Sequence, residues 1–453
     1  MYVLSELQQR YREKLVTPEQ AAAVVKSGDR VHYGLFGGII RDLDCALAKR
    51  TGELTGVTVY ATIWNNDHVP AILQADPQAE HFHYISTHFS ALERKLNKQG
   101  CCWFMPVQFR ENSKLYAENV EGGIDVAMLQ VGPMDRWGNF NLGPQIAEYW
   151  GIFQHCKKII LEVNEKMPIN HGHQNVINLS QVDYVVEGSC QPVNAFDAQP
   201  AGEVEKQIAR NIFPYIHSGS TLQLGIGGIP STIGAMLAES DVDDLSVHTE
   251  MFVDSYLKLY EAGKISGNKN LDKGKMVYTF ASGSKALYDF IDDNPITWCA
   301  PVDYVNDLHT IGSIDRMVSI NSCLQVDLYG QVNSESAGWQ HIGGTGGQLD
   351  YVMGAFHSKG GQSFLCTPST RKNKDGTVES LIRPRLDAGA IVSVPRSATH
   401  FVVTEFGAVN LKGKSTYERA ELLISIAHPD FRAELVQEAQ RMGLWKNSSK
   451  VLP

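Results

Sequence analysis

A glutamate closes a short run of strand-forming residues, Leu245-Ser-Val-His-Thr-Glu250. A glycine corner, Gly225-Ile-Gly227-Gly228-Ile-Pro230, precedes it across an apolar segment of helical period. These residue types in this order suit acyl chemistry. A carboxylate at the carboxyl end of a strand can attack an acyl group, and main-chain N–H groups of a glycine turn can hold the oxyanion that the attack creates. Glycine lets the backbone turn sharply and approach a ligand. Pro230 suits the first position of the following helix, whose free N–H groups and dipole favour negative charge. Spacing alone leaves plainer alternatives open. A lone glutamate after a strand is more often a solvated or salt-bridged residue, and the corner is equally well explained as a tight strand-to-helix turn with no ligand.

The dinucleotide fingerprint GxGxxG is the first rival for such a corner. Begun at Gly225 it requires glycine where Pro230 stands, and begun at Gly344 it requires glycine where Leu349 stands. Both fail, which sets a nicotinamide enzyme aside.

The elements that must position these residues show first in an internal repeat. SGDRVHYGLFGGI at Ser27–Ile39 is answered by SGSTLQLGIGGI at Ser218–Ile229, and Asp135-Arg-Trp-Gly138-Asn-Phe-Asn141 by Asp327-Leu-Tyr-Gly330-Gln-Val-Asn333. The offset is nearly the same at both echoes, which points to duplication. Between the copies lies QPVNAFDAQPAGE, Gln191–Glu203, a Pro, Ala and Gln-rich stretch without period that reads as a linker. The expected division is an N-terminal domain of residues 1–198 and a C-terminal domain of residues 199–453. Short apolar and β-branched runs, Lys158–Leu161, Tyr184–Val186, Ile391–Val394 and Phe401–Val403, alternate with helical-period segments such as Leu4, Leu7, Tyr11 and Leu15. The fold class is therefore α/β, two tandem duplicated domains with mainly parallel sheets, whose ligands bind beyond the carboxyl ends of the strands.

Bulk properties agree with that reading. A chain of 453 residues exceeds a single core, and 43% hydrophobic with 20% charged residues is an ordinary globular composition. A net charge of −10, with no long Lys/Arg block, argues against nucleic acid as a partner. The eight cysteines show neither a disulfide framework nor paired metal-ligand spacing, so reduced and buried thiols are expected. No run of 18 apolar residues and no signal-like apolar core occur, so the expectation is a cytoplasmic protein without a membrane partner.

Five motifs in order, GIGGIP at Gly225–Pro230, HTEMFVD at His248–Asp254, PVDYVND at Pro301–Asp307, GGTGGQLDYVMGAF at Gly343–Phe356 and SVPRSATHFVVTEFG at Ser393–Gly407, resemble the acetyl-CoA hydrolase/transferase family of CoA-transferases. The similarity runs over nearly the whole chain and is nearest to the 4-hydroxybutyrate and butyryl-CoA:acetate CoA-transferase type. It implies a CoA-transferase (NagB-like) fold with the active site at the domain interface. Glu250 is then the catalytic glutamate, acylated to a mixed anhydride and then to a glutamyl-CoA thioester, and Asn306 the asparagine that orients it. Oxyanion and CoA-binding N–H groups fall at Gly225, Gly227, Gly228, Gly346 and Gly347. A carboxylate suits these steps, since a group of pKa about 4.3 is ionised at neutral pH without a base. The partners implied are an acyl-CoA and a short-chain carboxylate, with coenzyme A as substrate, no permanently bound cofactor, and a homo-oligomer as in relatives.

The chain departs from the family in two places. Gln348 follows the last glycine where relatives carry phenylalanine, and it either points into the acyl pocket or is solvated. The first-half corner GLFGG has no carboxylate counterpart to Glu250, so Leu35 and Phe36 either wall the acyl pocket or are ordinary core. For the CoA phosphates the lysines Lys258, Lys264, Lys269, Lys273, Lys275 and Lys285 are candidates. The pairs His81/His83 and His171/His173 lack a third ligand nearby, so no metal is expected. Three readings follow: a CoA-transferase with an acceptor such as acetate, a CoA-ester hydrolase of the same family, and a catalytically silent CoA or metabolite sensor.

Overall fold

The computed structural model describes residues 2–64, 68–196, 200–225 and 227–445. The chain divides into two compact units, Met1–Phe196 with Val277–Val305, and Asp197–Met276 with Asn306–Pro453. The second unit is thus interrupted by a segment that belongs to the first. The boundary expected at residue 198 lies outside the described residues.

In the first unit, β1 (Arg30–Leu35), β2 (Val57–Thr62), β3 (Phe82–Ser86), β4 (Cys102–Phe104), β5 (Val126–Val131), β6 (Lys158–Val163) and β7 (Tyr184–Glu187) form a seven-stranded sheet in the order β4-β3-β2-β1-β5-β6-β7. Every pairing is parallel. The strands read as near-continuous apolar runs because both faces are covered. Val31, Tyr33, Val57, Val59, Phe82 and Tyr84 are buried in one core cluster.

In the second unit, β8 (Thr221–Leu224), β9 (Ser246–Val247), β10 (Met317–Ser322), β11 (Gln362–Cys366), β12 (Phe401–Thr404) and β13 (Gly407–Asn410) form a six-stranded sheet in the order β9-β8-β10-β11-β12-β13. Only the β12–β13 pair is antiparallel. The order reverses beside β8, since β9 lies on one side of it and β10 on the other. That is where a parallel sheet opens a crevice at its carboxyl edge.

The repeat is visible in hydrogen bonds. Asp135 accepts from the N–H groups of Trp137 and Asn139, both at 2.8 Å, and Asp327 accepts from those of Tyr329 and Gln331 at 3.1 and 2.9 Å. Each turn closes through a left-handed glycine, Gly138 at φ 82° and Gly330 at φ 86°. The expected strands at Lys158, Tyr184 and Phe401 are present, and Leu7, Tyr11 and their neighbours lie on the helix Tyr2–Lys14. Ile391–Val394 is not a strand. Ile391 and Val392 are exposed, Val394 makes a single bridge to Val332, and Pro395 has no N–H with which to extend a ladder. All eight cysteines are free; five are buried as expected, whereas Cys156 and Cys190 are partly accessible and Cys45 is exposed. Among the described residues, no helix is long and apolar enough to cross a membrane.

Candidate active site

Glu250 is delivered by the edge strand β9. Ser246 and Val247 pair with Thr221 and Leu222, and the His248 N–H extends the ladder to the Leu222 carbonyl at 3.2 Å. His248 and Thr249 are fully buried, and Glu250 is the first partly accessible side chain beyond them.

Asn306 and Gly347 reach Glu250 from two other elements. Asp307, not Asn306, caps the helix Leu308–Ser313, accepting the Thr310 N–H at 2.8 Å. The Asn306 side chain is thereby free for Glu250, to which its Nδ2 donates at 2.6 Å. The helix Gln348–His357 begins after Gly347, and the two helices approach closely because glycines occupy their contact. A Cβ at Gly354 would lie 2.6 Å from the Ile311 Cβ, and one at Gly312 would lie 3.1 Å from the His357 Cβ. Their N-termini therefore converge on one carboxylate, and the Gly347 main chain lies against it, its N–H favouring the ionised form. A Cβ at Gly347 would lie 2.0 Å from Glu250 Oε2 and 2.2 Å from Asn306 Nδ2, so only glycine fits.

Burial pushes the Glu250 carboxyl up to about 7, and the Asn306 and Gly347 hydrogen bonds offset only part of that rise. The expectation of a carboxylate fully ionised at neutral pH is corrected accordingly. Desolvation by elements distant in sequence outweighs both hydrogen bonds.

The glycine corner follows β8 at the reversal of strand order. Its floor is polar: Gln223 Oε1 accepts from Ser319 Oγ at 2.7 Å and Asn321 Nδ2 at 3.0 Å. Tyr256 accepts the Leu224 N–H at 2.7 Å and holds the strand end. Gly225 is not an available oxyanion donor, because its N–H is engaged by the Ile320 carbonyl at 3.0 Å. Gly227 turns at φ 112° with open space on its Cβ side, and Gly228 opens the helix Gly228–Ala238, whose first-turn N–H groups lack intrahelical partners. Pro230 occupies the third helical position rather than the first, where its missing N–H is equally harmless.

Gly346, at φ 52°, makes the turn into Gly347. Gln348 anchors its Nε2 on the Ser322 carbonyl at 2.8 Å, and its Oε1 is buried without a partner. Leu35 and Phe36 are buried in the first unit. The Leu35 N–H donates to Tyr149 Oη at 3.2 Å, and Phe36, at φ 45°, stacks on Phe280 with centroids 4.1 Å apart.

Three lysines among the phosphate candidates are engaged elsewhere. Lys269 is buried, lowered to about 8 by that burial, and donates to the main-chain carbonyls of Asp272 and Lys275. Lys264 donates to the Ser240 carbonyl, and Lys285 pairs with Asp289 at 2.6 Å. Sequence reasoning missed Lys269 as an interior lysine, since nothing local marks it. No cluster of three or more His, Cys, Asp or Glu able to hold a metal occurs among the described residues.

Family models for the acetyl-CoA hydrolase/transferase N-terminal and C-terminal domains match residues 3–196 and 283–439. The chain is 47% identical over 449 residues to a probable butyrate:acetyl-CoA coenzyme A-transferase of Syntrophomonas wolfei, covering 98% of this chain and 99% of that one. It is 43% identical over 447 residues to the butyryl-CoA:acetate CoA-transferase of Anaerostipes caccae, covering 98% and 99%. The crystal structure of RipA from Yersinia pestis superposes with a TM-score of 0.88 at 37% identity, over 97% of this chain and 100% of that one. Both halves of the chain, with their parallel sheets and ordered motifs, belong to the acetyl-CoA hydrolase/transferase family of CoA-transferases.

Proposed function

We propose that this chain is an acyl-CoA:carboxylate CoA-transferase, moving CoA between a short-chain acyl-CoA of the butyryl class and an acceptor such as acetate. The relatives named for that activity support the reaction class. One observation carries the chemistry: a partly accessible carboxylate, Glu250, held by the Asn306 amide and packed against the Gly347 main chain.

The ionised carboxylate attacks the thioester carbonyl, forming a C–O bond and a tetrahedral oxyanion. Collapse breaks the C–S bond and releases CoA thiolate, leaving an acyl-glutamyl anhydride. The thiolate then attacks the glutamyl carbonyl and the acyl group leaves as a carboxylate, which gives a glutamyl-CoA thioester. The acceptor acid reverses these steps and departs as the new acyl-CoA. Charge appears on an oxyanion twice in each direction, and main-chain donors near Gly227, Gly228 and Gly346 suit its stabilisation, each such donor being typically worth ~10²–10³ in rate. Binding energy from the remote CoA nucleotide is available to orient the thioester.

The test is mass spectrometry of the protein after exposure to acyl-CoA alone. A CoA adduct on the peptide bearing Glu250, discharged by acetate with formation of acetyl-CoA, is the expected result. Turnover without any such adduct, or thiol release independent of acceptor, overturns the transferase reading in favour of hydrolysis.

A further inference from the structure

The loop Gly343–Gly347 places the Gly347 main chain against Glu250, yet it is glycine-rich and has little side chain of its own to hold its shape. The structure supplies a buried acid behind it. Glu335 is 4% exposed. An Asn333-centred turn sets its backbone: Asn333 Oδ1 accepts from the N–H groups of Glu335 and Ser336 at 3.1 and 3.0 Å, and Asn333 Nδ2 donates to the Ser336 carbonyl at 2.7 Å. The Glu335 carbonyl accepts from the N–H groups of Ile342 and Gly343 at 2.7 and 3.3 Å. Its Oε2 accepts from Thr345 Oγ1 at 3.2 Å. The loop is thus pinned at Gly343 and Thr345 by one residue, and at its far end by the Gln348 amide on the Ser322 carbonyl.

We propose that Glu335, acting through Thr345, is a positioning residue for the transferase reaction that fixes the glycine loop so that the Gly347 N–H meets the Glu250 carboxylate. This rests on the assignment of Glu250 as nucleophile. Neither Glu335 nor Thr345 touches the reacting atoms, so their effect is transmitted by the loop. Burying an acid is costly unless it is hydrogen-bonded, and the hydroxyl that bonds this carboxyl, Thr345 Oγ1, belongs to the loop.

Thr345→Val is the informative variant, because it removes the hydroxyl at nearly constant volume and changes no charge. The expected result is a fall in kcat of about tenfold, the scale of one lost hydrogen bond, with KM for acyl-CoA little changed. The acid limb of the pH–rate profile should also move to higher pH, since a looser Gly347 N–H stabilises the ionised carboxylate less. Thr345→Ser should restore both, and Glu335→Ala combined with Thr345→Val should be no slower than Glu335→Ala alone. Wild-type kcat and pH profile in Thr345→Val overturn the proposal, as does a lower kcat with an unmoved acid limb, which marks a merely structural role. Glu250→Ala separates the two levels. If it retains transferase activity, the nucleophile assignment fails; if it is inactive and forms no adduct while Thr345→Val behaves as wild type, only the positioning role fails.

Discussion

Gly347→Ala puts one methyl group where the structure has no room for one. The new Cβ would stand 2.0 Å from Glu250 Oε2, whereas ordinary contact begins near 3.4 Å, so the carboxylate or the loop must move by the difference, 1.4 Å. The backbone is not the obstacle. Gly347 has φ −100° and ψ 11°, a conformation open to alanine, and replacing glycine at a compatible position stabilises a fold by about 0.4–1 kcal/mol through the unfolded chain. The predicted protein therefore folds, with a melting temperature within a few degrees of wild type. Displacement of a reacting group by about 1 Å costs roughly 10²-fold in rate, or about 2.7 kcal/mol of activation free energy. The assay is steady-state exchange between butyryl-CoA and acetate, with thermal unfolding recorded on the same preparation. Wild-type kcat in Gly347→Ala would refute the claim that this approach sets the nucleophile. A loss of activity matched by a large loss of stability would refute the separation of catalysis from folding.

Other consequences follow from the same geometry. With the Glu250 carboxyl raised to about 7 by burial, kcat/KM for acyl-CoA should climb with pH through about 7 and level off above it; a limb near 4.5 would mean that burial does not govern the group. The same raised pKa means that stability is fully present below about pH 4.5 and declines as pH rises through 7, so Glu250→Gln should gain up to a few kcal/mol relative to wild type at pH 8 and nothing at pH 4 in chemical denaturation. Asn306→Ala removes a 2.6 Å bond to the carboxylate, which should lower kcat about 10- to 100-fold and move the acid limb upward; an unchanged limb would show that the amide does not act on the ionised form. Lys269→Met removes the buried ammonium that donates to the carbonyls of Asp272 and Lys275, so the melting temperature should fall while KM for acyl-CoA stays constant; a raised KM at constant stability would return Lys269 to the phosphate site.

The chain's local chemistry already marks much of this. The paired Ser-Gly turns, the two Asp-x-x-Gly turns and the apolar strands are patterns of nearest neighbours, and the hydrogen bonds of Asp135 and Asp327 repeat one another because each turn is built from residues within a few positions. Ile391–Val394 shows the limit of such reading. Its β-branched composition matches a strand, but a strand needs a ladder of partners, and the segment makes a bridge at Val394 alone. Gly225 shows another. Glycine predicts a turn with exposed N–H groups, yet whether an N–H is available depends on β10, which lies almost a hundred residues downstream, and the Ile320 carbonyl engages it.

By itself the sequence determined a duplicated, parallel α/β chain with a carboxylate after a strand and glycines at the corners, because periodicity, turn residues and motif order are local properties. Tertiary structure alone decided what that carboxylate is. Glu250 and Asn306 are separated by 56 residues and lie on different elements, and two helices that pack glycine against side chain bring Asn306 and Gly347 to the same carboxylate. Burial raises the carboxyl to about 7, and it places Lys269 among main-chain carbonyls rather than at the surface. Desolvation is a sum over all the atoms that exclude water from a group, most of them supplied by distant parts of the chain, and no window of sequence contains them.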